Sequence, residues 1–207
     1  RTVMVRPMLG YGLSEDLQAT LSVPVPLARD PSAPVVRGFT RMPATRDVEV
    51  GLGWRLQRRG TGVGARQEST LWLAVDQPLD DTRGGVETSP GVFAGLVTGY
   101  ASRTVYVWTG AAYRRFAGAD GDRTGDSRMG SLVVGYRPPW FQEDYPSPDW
   151  RGFVEVVGEW TREDVVDGRE LPGTGGRQVF LAFTLLGLYG SWGLAGGPAL
   201  PVYQDMN

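Results

Sequence analysis

Glu155 and Glu159 are two carboxylates of the type that general acid and base catalysis uses in glycosidases. The alternating pattern around them predicts a β-strand, on which residues four positions apart are separated by roughly 13 Å. Both glycosidase geometries place the two carboxylates closer together than this. The spacing therefore favours two charged groups on one solvated strand face over a catalytic pair.

The segment DGDRTGDSRMGS begins like a calcium-binding loop of the EF-hand type. The first, third, fifth and sixth positions of such a loop hold Asp120, Asp122, Thr124 and Gly125. The twelfth position holds Ser131, which cannot supply the bidentate carboxylate that completes the site. Asp120 and Asp122 are therefore weak calcium candidates, and an acidic surface loop is the favoured interpretation.

The composition removes most other site chemistry. The 207-residue chain contains no His and no Cys, and all 21 of its basic residues are Arg. A Ser-His-Asp triad, a thiolate nucleophile and a metal bound by imidazole or thiolate are therefore excluded. We expect a protein that is not an enzyme and uses no cofactor. The formal net charge of -2 provides no bulk attraction for nucleic acid, so no nucleic-acid partner is expected.

Apolar and polar residues alternate over several segments, which is the period of a β-strand with two different faces. In LQATLSVPVPL, every second residue from Leu17 to Leu27 is apolar, and the residues between them are polar or small. The pattern recurs in VEVGLGWRLQ, residues 48–57, and in GFVEVVGEW, residues 152–160. The polar face of residues 48–57 carries Glu and Arg, so it cannot line a dry protein core.

The pattern predicts an all-β chain of about ten strands without a helix. Short connections alternate with longer polar ones, apart from the long segment 138–150, where a short turn is expected. Strands of about ten residues or more in such an up-and-down order are typical of an antiparallel β-barrel. The predicted strands span residues 2–13, 17–28, 47–59, 65–78, 91–101, 104–116, 127–137, 150–163, 177–190 and 192–203.

The direction in which the apolar rows face separates two kinds of barrel. In a transmembrane barrel they face lipid, whereas in a soluble sandwich or ligand-binding barrel they face the core. No apolar run reaches the roughly 20 residues that cross a bilayer as a helix. Aromatic residues near the predicted strand ends are typical of membrane-interface girdles and favour the transmembrane barrel; they are Tyr11, Trp54, Tyr100, Tyr113, Trp150, Trp160, Tyr189 and Trp192.

In a transmembrane barrel the polar rows would line the interior. If that interior is open, its charged side chains select ions by the sign of their charge. Small and mid-sized barrels are instead often filled by their own side chains and are not pores. Both alternatives stay open from the sequence. The lumen-lining candidates are Arg6, Glu49, Arg55, Asp76, Arg114, Glu155 and Glu159.

Two segments resemble a known family. YGLSEDLQATLSVPV, residues 11–25, resembles the hairpin YGLTDRLxLxLSLPY of the Gram-negative outer-membrane family called MetA-pathway of phenol degradation, whose members are often described as transporters. GGPALPVYQDMN, residues 196–207, is similar to the late segment GVQLPVYQDLNG of that family. The resemblance touches both ends of the chain, and its motifs specify turns rather than chemistry. It implies an outer-membrane β-barrel for small, hydrophobic or aromatic, solutes.

The resemblance also bears on the number of strands. In that family a loop and a last strand ending in an aromatic residue follow the Pro-Val-Tyr-Gln-Asp segment, and here the sequence stops at Asn207. We therefore expect residues 1–207 to form a single β-barrel domain that lacks a strand at each end, with twelve strands in the full protein.

The expected location is the bacterial outer membrane, with its lipid and lipopolysaccharide as partners. Arg37, Arg41 and Arg46 lie in a long loop and would suit lipopolysaccharide phosphates, although a solvated loop is the favoured interpretation. The connection 138–150 is a candidate contact for a periplasmic or outer-membrane protein. The expected function is the passive passage of small solutes. The alternatives are a plugged structural barrel within a larger assembly and, less favoured, a soluble ligand-binding barrel.

Overall fold

The computed structural model describes residues 3–5, 7–23, 25–28, 47–60, 64–79, 82–83, 86–87, 89–118, 121–142, 147–190 and 192–205. This part of the chain is all-β and contains one short 3₁₀ turn at Pro139–Phe141 and no α-helix. Its strands are β1 Val3–Val5, β2 Met8–Gly12, β3 Leu17–Ser22, β4 Val25–Ala28, β5 Asp47–Gly60, β6 Arg66–Pro78, β7 Thr82–Arg83, β8 Val86–Glu87, β9 Gly91–Ala101, β10 Val105–Phe116, β11 Ser127–Tyr136, β12 Asp149–Thr161, β13 Asp164–Val166, β14 Arg169–Leu171, β15 Gly176–Tyr189, β16 Trp192–Gly196 and β17 Ala199–Asp205.

Eleven of these strands form one antiparallel sheet, in the order β2, β3, β5, β6, β9, β10, β11, β12 and β15, with β16 and β17 both paired to β15. Each long strand therefore pairs with its neighbours along the chain. The hairpins β7–β8 and β13–β14 lie in two of the connections, and β1 pairs with β4. The all-β, antiparallel, up-and-down arrangement predicted from the sequence is confirmed.

Three of the predicted strands are interrupted. The strand predicted for residues 2–13 is divided into β1 and β2 around Pro7, the strand predicted for residues 17–28 is divided into β3 and β4, and the last strand is divided into β16 and β17 by Gly197 and Pro198. Proline has no N–H to donate to a strand ladder, so a strand tends to break there. The carbonyl of Pro198 instead accepts a hydrogen bond of 3.0 Å from the backbone N–H of Phe183. β16 pairs with the last part of β15 and β17 with its first part, so together they occupy one strand position as a single interrupted strand.

The sheet is strongly curled. β10 and β5 are three strand positions apart, which is about 14 Å in a flat sheet. In register, Arg114 of β10 also lies one side-chain step along the strands from Glu49 of β5. A guanidinium nitrogen of Arg114 nevertheless lies 3.0 Å from a carboxylate oxygen of Glu49. The face that carries both side chains must therefore be concave.

The two faces of the sheet have the reverse of the burial that a water-soluble protein shows. Among the described residues, the buried hydrophobic side chains are only Tyr106, Phe116, Phe180 and Ala182. The buried polar or charged residues are far more numerous: Ser22, Asp47, Asp76, Ser89, Arg114, Thr124, Asp126, Ser127, Glu159, Thr161, Asp164 and Gln178. The concave face is called the polar face below, and the convex face the apolar face.

The apolar face is covered with large exposed hydrophobic side chains from every long strand. Val50 and Val92 are 56% and 57% exposed, values at which a soluble protein would usually carry a polar residue. Other members of this face are Leu52, Trp54, Leu73, Val75, Leu96, Val107, Leu132, Val134, Val154, Val156, Phe183 and Leu185. The result is a continuous apolar band around the outside of the curled sheet.

The two ends of the sheet differ in their connections. Few residues separate β2 from β3, β5 from β6, β9 from β10 and β15 from β16, and these strand ends lie at one end of the sheet, called the short-turn end. More residues separate β6 from β9, β10 from β11 and β12 from β15, and these strand ends lie at the other end, called the long-loop end. The connection 137–148 is the exception, because it is long but lies at the short-turn end.

The sheet is open in the part of the chain that the structure describes. No hydrogen bonds join β2 to β16 or β17, which are the two edges of the sheet. The structure therefore shows a curled meander with ten strand positions. Closure into a barrel belongs to the proposal made below.

Candidate functional site

The described lumen-lining candidates lie on one face of the sheet, because alternate residues of a strand share a face. Glu49 and Asp76 are direct cross-strand partners of β5 and β6, and Arg114 lies on β10. Glu155 and Glu159 lie on β12, and register pairing places both on the same face as Arg114. Arg55 follows Glu49 on β5. Arg6 lies outside the described residues.

Three of these residues form a compact cluster on the polar face, called the Arg114 cluster below. Arg114 donates a hydrogen bond of 3.0 Å from Nη2 to Glu49 Oε2, and its Nη1 lies 3.4 Å from Asp76 Oδ2. Its guanidinium carbon lies 5.1 Å from the ring centroid of Phe93 on β9. Asp76 and Arg114 are 1% and 5% exposed, so this is a desolvated ion cluster rather than a surface salt bridge.

The Arg114 cluster carries more negative than positive charge. Asp47 lies on the same face, two residues before Glu49, and is also buried. Among the described residues, three carboxylates and one guanidinium therefore lie in this part of the polar face. A side chain in such a place creates a local electrostatic potential that a passing ion would experience at close range. Asp47 was not among the candidates predicted from the sequence, although it belongs to the same alternating row as Glu49.

Glu159 and Glu155 each have a hydrogen-bond partner on β15. Gln178 Nε2 donates to Glu159 Oε2 at 2.9 Å, and Glu159 is buried. The Thr184 hydroxyl donates to Glu155 Oε1 at 3.1 Å, and Glu155 is half-buried. Glu159 belongs with Ser127, Thr161 and Gln178 to a group of buried polar side chains at the long-loop end, called the buried polar layer below. Glu155 lies nearer the middle of the polar face.

Arg55 belongs to a different network at the short-turn end. Its Nε donates to Glu68 Oε1 at 3.1 Å, and its Nη1 lies 3.4 Å from Asp16 Oδ1. Arg66 also forms an ion pair with Glu68. Four of the candidates, Glu49, Asp76, Arg114 and Arg55, thus belong to ion networks near the two ends of the sheet.

The long connections fold over the long-loop end of the polar face. Arg123 and Val165 exchange backbone hydrogen bonds of 2.9 and 2.8 Å, which joins the connection 117–126 to β13. The buried carboxylate of Asp164 accepts a 2.7 Å hydrogen bond from the N–H of Gly125. A Cβ on Gly125 would collide with the carbonyl of Arg162, so this close approach requires glycine. These contacts join the two connections to each other at the long-loop end.

Asp122 is the one of the two weak calcium candidates that the structure describes. The carboxylate of Asp122 accepts a 2.8 Å hydrogen bond from the backbone N–H of Asp167, so it joins two connections. Asp120 lies outside the described residues. Among the residues that the structure does describe, no group of three or more acidic side chains is arranged to hold a metal ion. The interpretation of residues 120–131 as an acidic surface loop stays a prediction.

The connection 138–150, predicted as a contact for a protein partner, begins with the 3₁₀ turn at Pro139–Phe141. Trp140 is 70% exposed, and its ring centroid lies 6.3 Å from that of Phe141. Gln142 Nε2 donates to the carbonyl of Arg137 at 3.1 Å, which attaches the turn to the end of β11. Two aromatic rings are thereby presented to the surroundings at the short-turn end.

Comparisons with known proteins leave this geometry without a family assignment. No protein-family model matches the chain, and no curated protein matches it in sequence. No helix among the described residues is long and apolar enough to span a membrane. The resemblance of residues 11–25 and 196–207 to the phenol-degradation transporter family stays a prediction.

Proposed function

We propose that this chain forms the wall of a transmembrane β-barrel in a Gram-negative outer membrane. The observation that carries the proposal is the reversed burial of the two faces. Asp76 and Arg114 are buried on the concave face, while Val50, Val92 and Leu185 are more than half exposed on the convex face. A sheet of this kind is stable where lipid covers its convex face, because apolar surface of this extent is unfavourable in water.

Strand length supports the proposal. β5 and β15 contain 14 residues each, and β6 and β12 contain 13. A tilted strand needs about 9–11 residues to cross the hydrocarbon core of a bilayer. Average strands in soluble proteins are about half as long as those seen here. The long strands of this sheet are therefore sufficient to cross a membrane and to extend beyond it.

The outward aromatic residues lie in two zones, one near each end of the strands. Trp54, Tyr100, Tyr136, Trp150 and Tyr189 belong to the short-turn end. Tyr113 and Trp160 lie near the long-loop end, where each is the cross-strand partner of Arg128. Rings with one polar edge are stable at the boundary between lipid and water. Two such zones around an apolar band match the girdles of a membrane barrel.

The role that we propose is a non-enzymatic, passive route for small solutes through the polar interior. Side chains in the middle of the polar face, such as Glu155 and Ser131, are half-buried, whereas those at the long-loop end are buried. The Arg114 cluster is then a constriction near that end. Its excess of carboxylates would favour cations over anions. The resemblance to the phenol-degradation transporter family extends the proposal to hydrophobic or aromatic solutes.

A plugged structural barrel is the second candidate, and the folded connections favour it. The backbone pair between Arg123 and Val165 and the bond from Gly125 to Asp164 fasten these connections across the long-loop end. In such a barrel the same ion network would fill the interior instead of lining a route. Trp140 and Phe141 would then be the contact with a periplasmic or outer-membrane partner.

Single-channel conductance of the full-length protein in a planar bilayer distinguishes these candidates. We expect discrete current steps with a preference for cations, and a smaller preference in the variant Glu49→Gln. The matched control is Glu15→Gln, which removes the same charge from an exposed turn outside the polar face. An unchanged preference for cations in Glu49→Gln would show that the Arg114 cluster does not line the route that the ions take. Inserted protein that carries no current would favour the plugged barrel.

A further inference from the structure

Two arginines and a tryptophan form a row on the apolar face near the long-loop end, called the Arg–Trp row below. Arg128 on β11, Trp160 on β12 and Arg177 on β15 are direct cross-strand partners. The guanidinium carbon of Arg128 lies 4.7 Å from the Trp160 ring centroid, and that of Arg177 lies 6.0 Å from it. Both are within cation–π distance, so one ring positions two positive charges.

The positive charge of this row is not neutralised within the described part of the chain. Arg128 and Arg177 are exposed, and neither forms an ion pair with a described carboxylate. Asp205 on β17 is opposite Arg177 in register, but its carboxylate accepts a 3.4 Å hydrogen bond from the Tyr203 hydroxyl. Arginine in such a position keeps several N–H donors for a ligand.

The Arg–Trp row lies where the apolar band ends. Leu132 on β11 and Val156 on β12 are directly paired, exposed and closer to the middle of the sheet. In the other direction, Arg115 and Arg162 are exposed at the positions that follow Tyr113 and Trp160 on this face. Apolar side chains are thus succeeded by arginine over a few residues, as expected at the level of lipid headgroups.

We propose that the Arg–Trp row binds a phosphate group on the headgroup of lipopolysaccharide in the outer leaflet. This inference rests on the proposed membrane insertion, which places the long-loop end at the cell exterior. A guanidinium binds phosphate through two parallel hydrogen bonds, and both guanidiniums held at the Trp160 ring offer such donors on this face. This row is separate from the loop that carries Arg37, Arg41 and Arg46, which lies outside the described residues.

The position of the row favours a lipid phosphate over inorganic phosphate in solution. The row faces outward from the wall of the sheet, and the exposed Leu132 and Val156 lie on the same face beyond the paired glycines Gly130 and Gly158. The acyl chains of a lipid held by its phosphate would lie against these apolar side chains. Inorganic phosphate would gain only the contacts with the guanidiniums.

The test measures binding of lipid A, the phosphorylated anchor of lipopolysaccharide, to the full-length protein by native mass spectrometry. Each protein is first shown to insert into phosphatidylcholine vesicles and is then extracted into detergent. We expect Arg128→Gln with Arg177→Gln to bind lipid A about tenfold more weakly than the wild type, because two basic contacts are lost. Arg58→Gln with Arg59→Gln should bind like the wild type, since it removes equal charge from exposed residues at the short-turn end.

The other outcomes separate this inference from the proposed function. Equal affinity of the Arg128→Gln, Arg177→Gln protein and the wild type would overturn the site while leaving the barrel intact. Equal binding of dephosphorylated lipid A would overturn phosphate recognition. Displacement of lipid A by millimolar inorganic phosphate would identify an ion site instead of a lipid site. A protein that fails to enter the vesicles would overturn the membrane barrel and the lipid site together.

Discussion

Arg114 is the residue on which the buried charges at the long-loop end depend. It contacts Glu49 and Asp76 directly, and Asp47 adds a third carboxylate to the same region. Removing charges from water is costly, and a buried ion cluster repays that cost only while its members remain paired. Loss of the guanidinium would leave carboxylates of one sign facing each other in a desolvated place.

Replacement of Arg114 by methionine should therefore lower the free energy of unfolding by about 3 kcal/mol or more. Arg58→Met is the control, because an exposed position usually changes stability by less than about 0.5 kcal/mol. Urea unfolding of the protein refolded in vesicles or detergent measures both. The double variant Arg114→Met, Asp76→Asn should recover part of the loss, since it removes one of the unpaired charges. Equal stability of Arg114→Met and the wild type would contradict the cluster.

At the residue scale, the sequence predicted which face of the sheet each side chain occupies, but not which other side chains it contacts. The period of two is sufficient to place Glu49, Arg114 and Glu159 on one side of their strands. It cannot show that Arg114 reaches Glu49 across three strand positions, because that contact depends on how strongly the sheet curls. The buried Asp164 was also missed, since its role arises from a connection folding back onto another connection.

Adjacent strands pack closely on the polar face partly because glycines lie opposite aromatic rings there. Gly53 is paired with Trp72, and Gly99 is paired with Trp108. A Cβ at either glycine would collide with the neighbouring ring. The rings therefore lie across the wall and cover the glycine instead of projecting into the interior, an arrangement that lets large side chains line a curled sheet.

The apolar face provides a test of membrane insertion at the level of single strands. Leu132 lies near the middle of β11 and is 46% exposed. In a bilayer, Leu132→Arg should lower the free energy of unfolding by about 2–4 kcal/mol, because arginine at the midplane must be solvated in hydrocarbon. In a water-soluble sheet the same exposed substitution would change it by less than about 0.5 kcal/mol.

The matched control for Leu132→Arg is Gln67→Arg. Gln67 is exposed at the start of β6, next to the short-turn end, where the cost of arginine is about 0–1 kcal/mol. Equilibrium unfolding in vesicles is the measurement for both variants. Equal, small effects at the two positions would contradict a lipid-facing convex face.

Element boundaries followed closely from the sequence wherever alternation was uninterrupted. The predicted strand 91–101 is identical to β9, and the prediction for residues 47–59 differs from β5 by one residue. The errors fall where proline interrupts an alternating pattern, as at Pro7 and Pro198. Side-chain period alone does not report a missing backbone donor.

At the scale of the whole molecule, the two ends of the sheet are chemically different. The long-loop end combines the buried polar layer, the folded connections and the Arg–Trp row. The short-turn end has tight turns and the exposed rings of Trp140 and Phe141. In an outer-membrane barrel, long loops face the cell exterior and short turns face the periplasm.

This orientation can be tested by thiol labelling, because the chain contains no Cys and background labelling is absent. We expect Arg169→Cys, in the exposed β14, to react with a membrane-impermeant maleimide on intact cells. Arg103→Cys, in an exposed short turn, should react only after the outer membrane is permeabilised. The opposite pattern would invert the proposed orientation. Reaction of neither variant in intact cells, and of both after lysis, would argue against an outer-membrane location.

At the scale of the whole molecule, the sequence predicted the up-and-down meander but could not predict how its edges close. Alternating strands and connections of unequal length are sufficient to predict an antiparallel up-and-down order. Closure depends on which strands pair with the edges of the sheet, β2 and the β16–β17 pair, and no local pattern reports which strands meet at a seam. The same limit applies to the connections that cover the long-loop end.

The contact between Arg114 and Glu49 has a kinetic consequence. Adjacent strands of a meander can pair one hairpin after another, each requiring only a short loop to close. Arg114 and Glu49 are 65 residues apart in sequence, and they meet only after the strands between them have paired and curled. The contact therefore forms late, so it contributes little to the rate of folding. It should mainly lower the rate of unfolding, and thus determine the lifetime of the folded sheet.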